Sequence, residues 1–318
     1  MATPNSVFTE LVSTTLRDHA RDVVDNVITH VPVLKLMKAR GNIKDGGTEI
    51  ALPIVHSENS NYQRYSGYDA LSQNATESIS SAKFDWMQAA INVTASGREI
   101  RINSGKNQMI DLVRARKKVA VTTATNKFAI DLYSDGALTN QIGGFASIIP
   151  STAGGTVGGI DSSTYTFWQS KVTEVTGSGA TYSTLRTAMN TTWMSQTIGA
   201  DEPDLLVMSH DFYAIFEAGL QDLQRYAQAD TGALGFNALR YKSAPVVFDT
   251  NTNFGTTAEK CMLLNTKYLY LVQHSDAKWS AEEARTPTNQ DAIIVPMFWM
   301  GNLCTDNRRM LGVVIDAT

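Results

Sequence analysis

Residues 103–136 read NSGKNQMIDLVRARKKVAVTTATNKFAIDLYSDG and contain no proline. Asn103 and Ser104 are residue types that cap the start of a helix, and Gly136 is the type that ends one with a left-handed turn. The stretch therefore predicts one helix over 104–135, about 45 Å long at the standard rise per residue. This length is far above the average for globular domains, which indicates a strut rather than an element buried in one core.

The predicted helix has two chemically different surfaces. Apolar residues recur at helical spacing and predict a buried face, formed by Met109, Val113, Ala120, Ala124 and Phe128, with Leu112, Val119 and Ile130 beside them. Basic residues crowd the middle of the helix, namely Arg114, Arg116, Lys117 and Lys118. This cluster is either a solvated helix face, which we favour, or a surface that faces packaged nucleic acid without sequence specificity.

Upstream of the helix, the apolar period changes to two, which is typical of strands. Ile50, Leu52 and Ile54 alternate with residues that face the other way, and they predict a strand with one exposed side. Residues 57–81 are polar, and 83–95 (KFDWMQAAINVTA) resume as a second strand whose alternation changes phase near Met87. A bulge or a change of buried partner would explain that change.

These two strands predict an extended hairpin with a polar tip of about 25 residues, too long for decoration within one compact domain. Such a hairpin is unstable alone in water, so we expect it to lie on something outside its own fold. Residues 98–103 (REIRIN) are expected to form a short strand that leads into the long helix.

The remaining chain predicts an arm, a second domain and a terminal hairpin. Residues 8–31 have the spacing of an amphipathic helix that Pro32 ends, and 33–39 a short second helix. Between about 145 and 285, strands alternate with helices and predict an α/β domain with its own core. Its elements are a helix over 181–197, a strand over 204–208, a helix capped by Ser209, a strand over 244–249 and two strands around 265–267. The apolar runs 292–304 and 309–315 are expected to pair as a hairpin covered by the long helix.

Composition limits the function classes. With 43% hydrophobic and 18% charged residues the chain is globular, and its net charge of -4 does not indicate a dedicated nucleic-acid reader. Cys261 and Cys304 lie far apart, so we expect two free, buried thiols in a reducing cytoplasm, with a disulfide as the weaker alternative. The sequence contains no secretory signal and no apolar window long enough to span a membrane, which favours a soluble product of the cytosol.

No catalytic or metal-binding pattern emerges from the residues. The five histidines lack metal-ligand spacing. Ser209, His210 and Asp211 are triad residue types, yet neighbours on a helix point about 100° apart and cannot form the triad chain. The glycine-rich 154–159 (GGTVGG) matches neither nucleotide-binding pattern and predicts a structural turn. We expect no cofactor and a structural role, while an α/β enzyme acting on a small substrate through 145–285 stays open.

The order of arm, extended hairpin, long helix, α/β domain and returning terminal strands resembles the major capsid proteins of tailed bacteriophages. Two local stretches support this resemblance: 154–170 (GGTVGGIDSSTYTFWQS) and 235–249 (GFNALRYKSAPVVFD). It implies an α+β fold, the Hong Kong ninety-seven capsid fold, which encapsulins share. It also implies five parts: an N-terminal arm (1–30), a peripheral domain (31–45, 96–144 and 286–318), its spine helix (104–135), an extended hairpin or E-loop (46–95) and an axial domain (145–285).

The implied function is self-assembly, through hexamers and pentamers, into an icosahedral shell around double-stranded DNA. Portal and possible scaffolding or decoration proteins are the further implied partners, with a separate scaffolding protein, or none, expected. The implied location is the virion, after assembly in the host cytoplasm, and no membrane is involved. The runner-up is an encapsulin-type nanocompartment that holds cargo enzyme instead of a genome.

The candidate site residues are surface residues of the hairpin and the helix. Tyr62, Arg64, Tyr65 and Tyr68 in the hairpin tip fit packing between subunits, although a solvent-exposed tip would also contain them. Some family members crosslink an E-loop lysine to an asparagine, and Lys83 is the single lysine of the hairpin proper. The residues expected to face DNA are Arg114, Lys117 and Lys118.

Overall fold

A computed structural model describes residue 33 and residues 42–44, 46–102, 112–177, 179–222, 239–249, 259–281 and 283–316. The predicted arm with its helix over 8–31, and the predicted helix start over 103–111, lie outside the described residues. Of the predicted short helix over 33–39, only Val33 is described, and it is helical and buried.

The described residues form five α-helices and fourteen strands. The helices are α1 Gly97–Ile102, α2 Leu112–Leu132, α3 Phe145–Ile148, α4 Tyr182–Gln196 and α5 His210–Asp222. The strands are β1 Asn42–Lys44, β2 Ile50–Val55, β3 Ile79–Phe84, β4 Met87–Ser96, β5 Thr156–Val157, β6 Ile160–Asp161, β7 Lys171–Glu174, β8 Leu205–Met208, β9 Leu239–Tyr241, β10 Ala244–Phe248, β11 Glu259–Leu264, β12 Leu269–Ala281, β13 Ala292–Thr305 and β14 Gly312–Asp316.

The larger sheet has six strands in the order β7-β14-β11-β8-β10-β9 and is covered on both faces. Its strand β8 is fully buried, with Leu205 and Val207 in one core and Leu206 and Met208 in another. The second core contains α4 and α5. The predicted strand over 204–208 and helix over 181–197 are thereby confirmed, because apolar residues on both sides of a strand require cover on both sides.

A second sheet has four strands in the order β1-β12-β13-β4, and the long helix α2 packs on it. The ring of Phe128 on α2 lies 4.7 Å from that of Trp299 on β13, centroid to centroid. Ala120 on α2 joins Val93 and Met297 in a smaller cluster. The prediction that this helix covers the strand over 292–304 is confirmed.

The long helix ends three residues earlier than predicted, at Leu132. The backbone N–H groups of Tyr133 and Ser134 bond to carbonyls three residues back, so the last turn tightens and stops. Gly136 has the predicted left-handed conformation, with φ +74°. Val119 was expected on the buried face, but half of its surface is exposed.

Residues 97–102 form helix α1, so the predicted strand over 98–103 is wrong. Ser96 and Glu99 form a capping box: the Ser96 N–H donates to Glu99 Oε2 at 2.9 Å, and the Glu99 N–H donates to Ser96 Oγ at 3.3 Å. Asp291 packs against Gly97, where a Cβ atom would meet its carboxylate, and also pairs with Arg101 at 2.9 Å. The local cap outweighs the alternating isoleucines that suggested a strand.

The predicted C-terminal hairpin is also wrong. β13 lies in the four-stranded sheet, whereas β14 pairs with β11 and β7 in the six-stranded sheet. Val313 packs into one core of that sheet and Val314 into the other. A strand with apolar residues on both sides is stable in the interior of a covered sheet, not in an exposed hairpin.

Two further sequence predictions concern the thiols and the membrane. Cys261 and Cys304 are free and buried, as predicted, and burial raises the pKa of the Cys304 thiol to about 12. Among the described residues, no helix has both the length and the apolar character needed to cross a membrane.

Candidate assembly surface

The hairpin base, meaning strands β2 and β3, has one buried and one exposed face. The strands pair antiparallel from Ile50 opposite Phe84 to Val55 opposite Ile79. Ile50, Leu52 and Ile54 are buried, and the residues between them are exposed. The alternation predicted from the sequence is confirmed.

The buried face of the hairpin base rests on the glycine-rich segment of the same chain. Trp168 is almost fully buried in this contact, and its Nε1 donates to the Val157 carbonyl at 2.9 Å. The Lys83 N–H donates to the Gly158 carbonyl at 2.8 Å. The expectation that the hairpin lacks a support within its own chain is therefore wrong for β2 and β3.

The turn between β5 and β6 explains the glycines of 154–159. Gly158 and Gly159 both have positive φ, +61° and +76°, as a tight hairpin turn requires. A Cβ atom on Gly158 would lie 3.1 Å from the Cβ of Ala82 and from the Phe84 ring. The segment is a structural turn, as predicted. Because it lies under β3, it also supports the hairpin base.

A two-residue elbow separates β3 from β4. β3 pairs with β2, whereas β4 pairs with β13, so of the two explanations offered for the phase change near Met87, a bulge or a change of partner, the structure shows the change of partner. Asn302 is buried at this elbow: its Nδ2 donates to the Asp85 carbonyl at 2.9 Å, and its Oδ1 accepts the Gly143 N–H at 3.1 Å. One amide thus holds the elbow against the chain that follows α2.

Arg308 is fully buried beneath the glycine-rich segment. Its Nε donates to the Ile148 carbonyl, and its Nη1 donates to Ser162 Oγ at 3.1 Å and to the Trp168 carbonyl at 3.5 Å. Burial lowers the pKa of its guanidinium to about 10. The side chain ties together three stretches of chain that support the hairpin base.

The hairpin tip, residues 56–78, is almost entirely exposed. Tyr62 is 81% exposed, Tyr65 is 66% exposed, and Tyr68 is fully exposed. Arg64 is exposed between them. Large aromatic side chains in water are candidates for burial in an interface, because tyrosine is enriched there relative to other surfaces.

Lys83 lies on the exposed face of the hairpin base, apart from the tyrosines of the tip. Its ammonium forms an ion pair with Glu49 at 2.6 Å. The structure therefore brings Tyr62, Arg64, Tyr65 and Tyr68 into one region and leaves Lys83 in another.

The basic cluster of α2 is divided between two faces of the helix. Arg116 binds Glu99 through two hydrogen bonds of 3.1 and 3.0 Å and also donates to the Thr94 carbonyl at 2.7 Å. This contact, together with the bond from the Ser96 backbone, lowers the pKa of Glu99 to about 2. Arg116 is therefore a structural residue that fastens α1 and β4 to α2.

The three residues predicted to face DNA share the other side of the helix, because spacings of three and four residues bring helix positions together. Lys117 and Lys118 are exposed. Position 114 lies in α2, while the side chain of Arg114 is outside the described part.

Among the described residues, no group of three or more histidine, cysteine, aspartate or glutamate side chains has the arrangement of a metal site. His210 and Asp211 lie 3.4 Å apart on the exposed start of α5.

The sequence matches no protein-family model and no curated protein, whereas the structure of the chain matches solved structures. The capsid asymmetric unit of cyanophage A-1(L) is 16% identical with a TM-score of 0.67, over 96% of this chain and 99% of that one. The capsid of a native GTA particle is 13% identical with a TM-score of 0.61, over 94% and 93%. The holo-SrpI encapsulin complex of Synechococcus elongatus is 9% identical with a TM-score of 0.60, over 96% and 95%.

The chain has the Hong Kong ninety-seven capsid fold. The α+β class implied by the resemblance is confirmed, and at these identities the likeness concerns the fold. Within this capsid fold, sequence reasoning missed Asn302 and Arg308, the two buried polar residues that position the hairpin. No local pattern marks either residue, because their partners lie more than a hundred residues away.

Proposed function

We propose that this chain is the major capsid protein of a tailed bacteriophage, which assembles with copies of itself into a closed shell around double-stranded DNA. The observation that carries the proposal is the capsid fold, which extends over 94 to 96% of the chain in three solved shell proteins. These neighbours favour a structural, non-enzymatic role.

The hairpin tip supports this function physically. It carries exposed tyrosines but has no apolar core of its own, so it gains stability by packing on a neighbour. A closed shell repeats such modest contacts by symmetry, in hexamers and pentamers. We assign Tyr62, Arg64, Tyr65 and Tyr68 to this contact, with Lys83 at the hairpin base as a second point of contact.

The proposed domains follow the two larger sheets. The four-stranded sheet and the spine helix α2 form the peripheral domain, and the six-stranded sheet with α4 and α5 forms the axial domain. The sheet order supports three changes to the sequence-based boundaries: β4 and β12 join the peripheral domain, and β14 joins the axial domain. Residues 1–30 are proposed as the arm, and the E-loop, predicted over 46–95, is proposed to end at the elbow before β4.

The basic face of α2 at positions 114, 117 and 118 is proposed to face the packaged DNA. Two exposed lysines, in a chain of net charge -4, are expected to make weak, salt-dependent contacts with DNA of any sequence. A portal and scaffolding or decoration proteins complete the proposed partners, with assembly in the host cytoplasm and a final location in the virion.

An encapsulin-type shell is the second candidate, favoured by the likeness to the holo-SrpI encapsulin complex. The two candidates differ in what the shell contains. Shells purified from their native source would hold double-stranded DNA in the first case and a protein cargo in the second.

Electron microscopy of the purified full chain tests the shared part of both candidates. We expect uniform closed shells, and the content of shells isolated from the native source then separates capsid from encapsulin. A small oligomer of fixed size under all conditions would instead favour the remaining alternative, an α/β enzyme.

A further inference from the structure

The tip continues the register of the hairpin base although residues 57–78 form no strand. The His56 N–H donates to the Ser78 carbonyl at 3.0 Å, one step beyond the last paired residues of β2 and β3. Ser57 Oγ then donates to the Glu77 carbonyl at 3.3 Å. From this point on, side chains take over the connection between the two arms of the tip.

Asn59 and Asn61 form the next connections between the arms. The Oδ1 atom of Asn59 accepts the Thr76 hydroxyl at 3.0 Å. Asn61 donates through Nδ2 to the Asn74 carbonyl and accepts the Ser72 hydroxyl at 2.9 Å. The antiparallel register places position 75 opposite 59 and position 73 opposite 61, so both residues bond to positions next to those directly opposite them.

Gln63 forms the last connection before the turn. Its Nε2 donates to the Ala70 carbonyl at 3.0 Å, and its Oε1 accepts the Ser72 N–H at 3.3 Å. An amide side chain can make both bonds because it carries a donor and an acceptor, whereas an ionised carboxylate only accepts. We call the cross-arm bonds of Asn59, Asn61 and Gln63 the amide rungs.

The tip closes in a tight turn that presents Tyr68. The Asp69 N–H donates to the Ser66 carbonyl at 3.2 Å, and the Ser66 N–H donates to Asp69 Oδ2 at 2.8 Å. Gly67 provides the positive φ, +56°, at the first central position. Tyr68 follows it at the apex and is fully exposed.

The rungs involve the amide residues of the tip and not its large exposed side chains. The arm that carries them is not a regular strand, because the Tyr62 N–H donates to the Asn59 carbonyl at 3.4 Å and closes a turn over 59–62. Tyr62, Arg64 and Tyr65 are exposed and make none of the rungs. The tip is thus held together by its amides while its tyrosines stay exposed to a partner.

We propose that Asn59, Asn61 and Gln63 are positioning residues that preform the tip, so that its tyrosines dock on a second copy of this chain. A polar loop of this length without rungs would lose much conformational entropy on docking, which weakens association. The role in docking rests on the proposed function, whereas the order of the tip in the free subunit does not.

The test compares two matched triple variants of the full chain. The rung variant is Asn59→Ala, Asn61→Ala and Gln63→Ala. The control is Ser60→Ala, Gln73→Ala and Asn74→Ala, which removes three polar side chains of the same tip that lie outside the rungs. Asn74 contributes its backbone carbonyl to a rung, and alanine retains that carbonyl.

Two measurements are made on each variant: hydrogen–deuterium exchange of the free subunit and shell yield by electron microscopy. We expect amides within 56–78 of the rung variant to exchange about tenfold faster, as for the loss of one or two net hydrogen bonds. We expect its shell yield to fall about tenfold, while the six-stranded sheet exchanges as in the wild type. The control should match the wild type in both measurements.

A disulfide between the two arms should restore the function of a tip that lacks the amide rungs. Asn61→Cys and Asn74→Cys, added to Asn59→Ala and Gln63→Ala, should restore shell yield when oxidised and not when reduced. Cys261 and Cys304 do not interfere, because both are buried.

Unchanged exchange in the rung variant would overturn the proposal, and so would faster exchange with a normal shell yield. If the wild type forms no shells, the proposed function fails by itself, and the exchange comparison still decides whether the rungs preform the tip.

Discussion

The hairpin base and the hairpin tip share one antiparallel register but are held by different forces. In the base, β2 and β3 bury Ile50, Leu52, Ile54 and Phe84 against Trp168. In the tip, the same register continues through side-chain hydrogen bonds at the surface, with the tyrosines exposed. One half of the hairpin is part of the subunit core, and the other half is not.

This difference separates what stabilises the subunit from what is available for assembly. Truncation of a buried large aromatic side chain to alanine costs about 3 to 5 kcal/mol, whereas a hydrogen bond contributes about 1 kcal/mol net. Changes in the base should therefore alter the free energy of unfolding, and changes in the tip should alter shell formation with little effect on folding.

The largest expected effect is on assembly. Replacing residues 58–76 by a short Gly/Ser linker should abolish shells, because it removes every exposed tyrosine of the tip. The melting temperature should change by less than about 2 °C, since the segment buries almost no apolar surface. Electron microscopy and calorimetry measure the two effects. Unfolding of the six-stranded sheet in this variant would show that the tip belongs to the fold after all.

Trp168→Ala should produce the largest loss of stability. We expect the free energy of unfolding to fall by about 3 to 5 kcal/mol, because the change leaves a cavity beneath β2 and β3 and removes the bond to Val157. Tyr165→Ala is the matched control: its side chain is 52% exposed, so it should change stability by less than about 0.5 kcal/mol. Urea unfolding measures the free energy of unfolding of both variants. Equal losses would contradict the proposal that Trp168 supports the hairpin base.

Gly158 and Gly159, the two turn glycines, provide a sharper test of the contact between the glycine-rich segment and the hairpin base. Gly159→Ala should cost about 1 kcal/mol, since it places a Cβ at positive φ in open space. Gly158→Ala should cost about 2 to 3 kcal/mol, because its Cβ also crowds Ala82 and Phe84. If urea unfolding gives equal losses, the close approach of the hairpin base contributes nothing to stability.

The smallest effect is expected at an ion pair outside the hairpin. Arg116 holds the pKa of Glu99 at about 2 in the folded state, below its usual value of 4.5. A lowered carboxyl pKa stabilises the fold fully above about pH 4.5, and the contribution is lost as pH falls toward 2. The free energy of unfolding of the Glu99→Gln variant should therefore be about 1 kcal/mol lower than that of the wild type at pH 7, and the difference should be smaller at pH 3.5. The value is small because the ion pair is partly exposed to solvent. Urea unfolding at both pH values measures the two losses. An equal loss at pH 7 and pH 3.5 would contradict a stabilising role of the ion pair.

Sequence periodicity predicted the elements whose pattern is set by local burial. The alternation in β2, the fully buried β8 and the helical spacing of α4 each follow from which side chains avoid water. The phase change near Met87 even indicated the elbow where the chain leaves β2 and pairs with β13. The exposed tyrosines were visible as candidates for the same reason, because the tip has almost no aliphatic residues to cover them.

Errors arose where a competing local signal or a distant partner decided the outcome. The capping box of Ser96 and Glu99 outweighed the alternation that suggested a strand. The end of α2 depended on a tightened last turn. The capping box is recognisable in the sequence, and the tightened turn is not.

By itself, the sequence determined the period of most apolar faces, and so the type and order of most elements. The tertiary structure alone decided which sheet β14 enters, because only the assembled cores offer cover for both Val313 and Val314. It also decided the roles of Asn302, Arg308 and the amide rungs. A buried or cross-arm hydrogen bond depends on where two distant backbones meet, and periodicity along one segment contains no information about that meeting point.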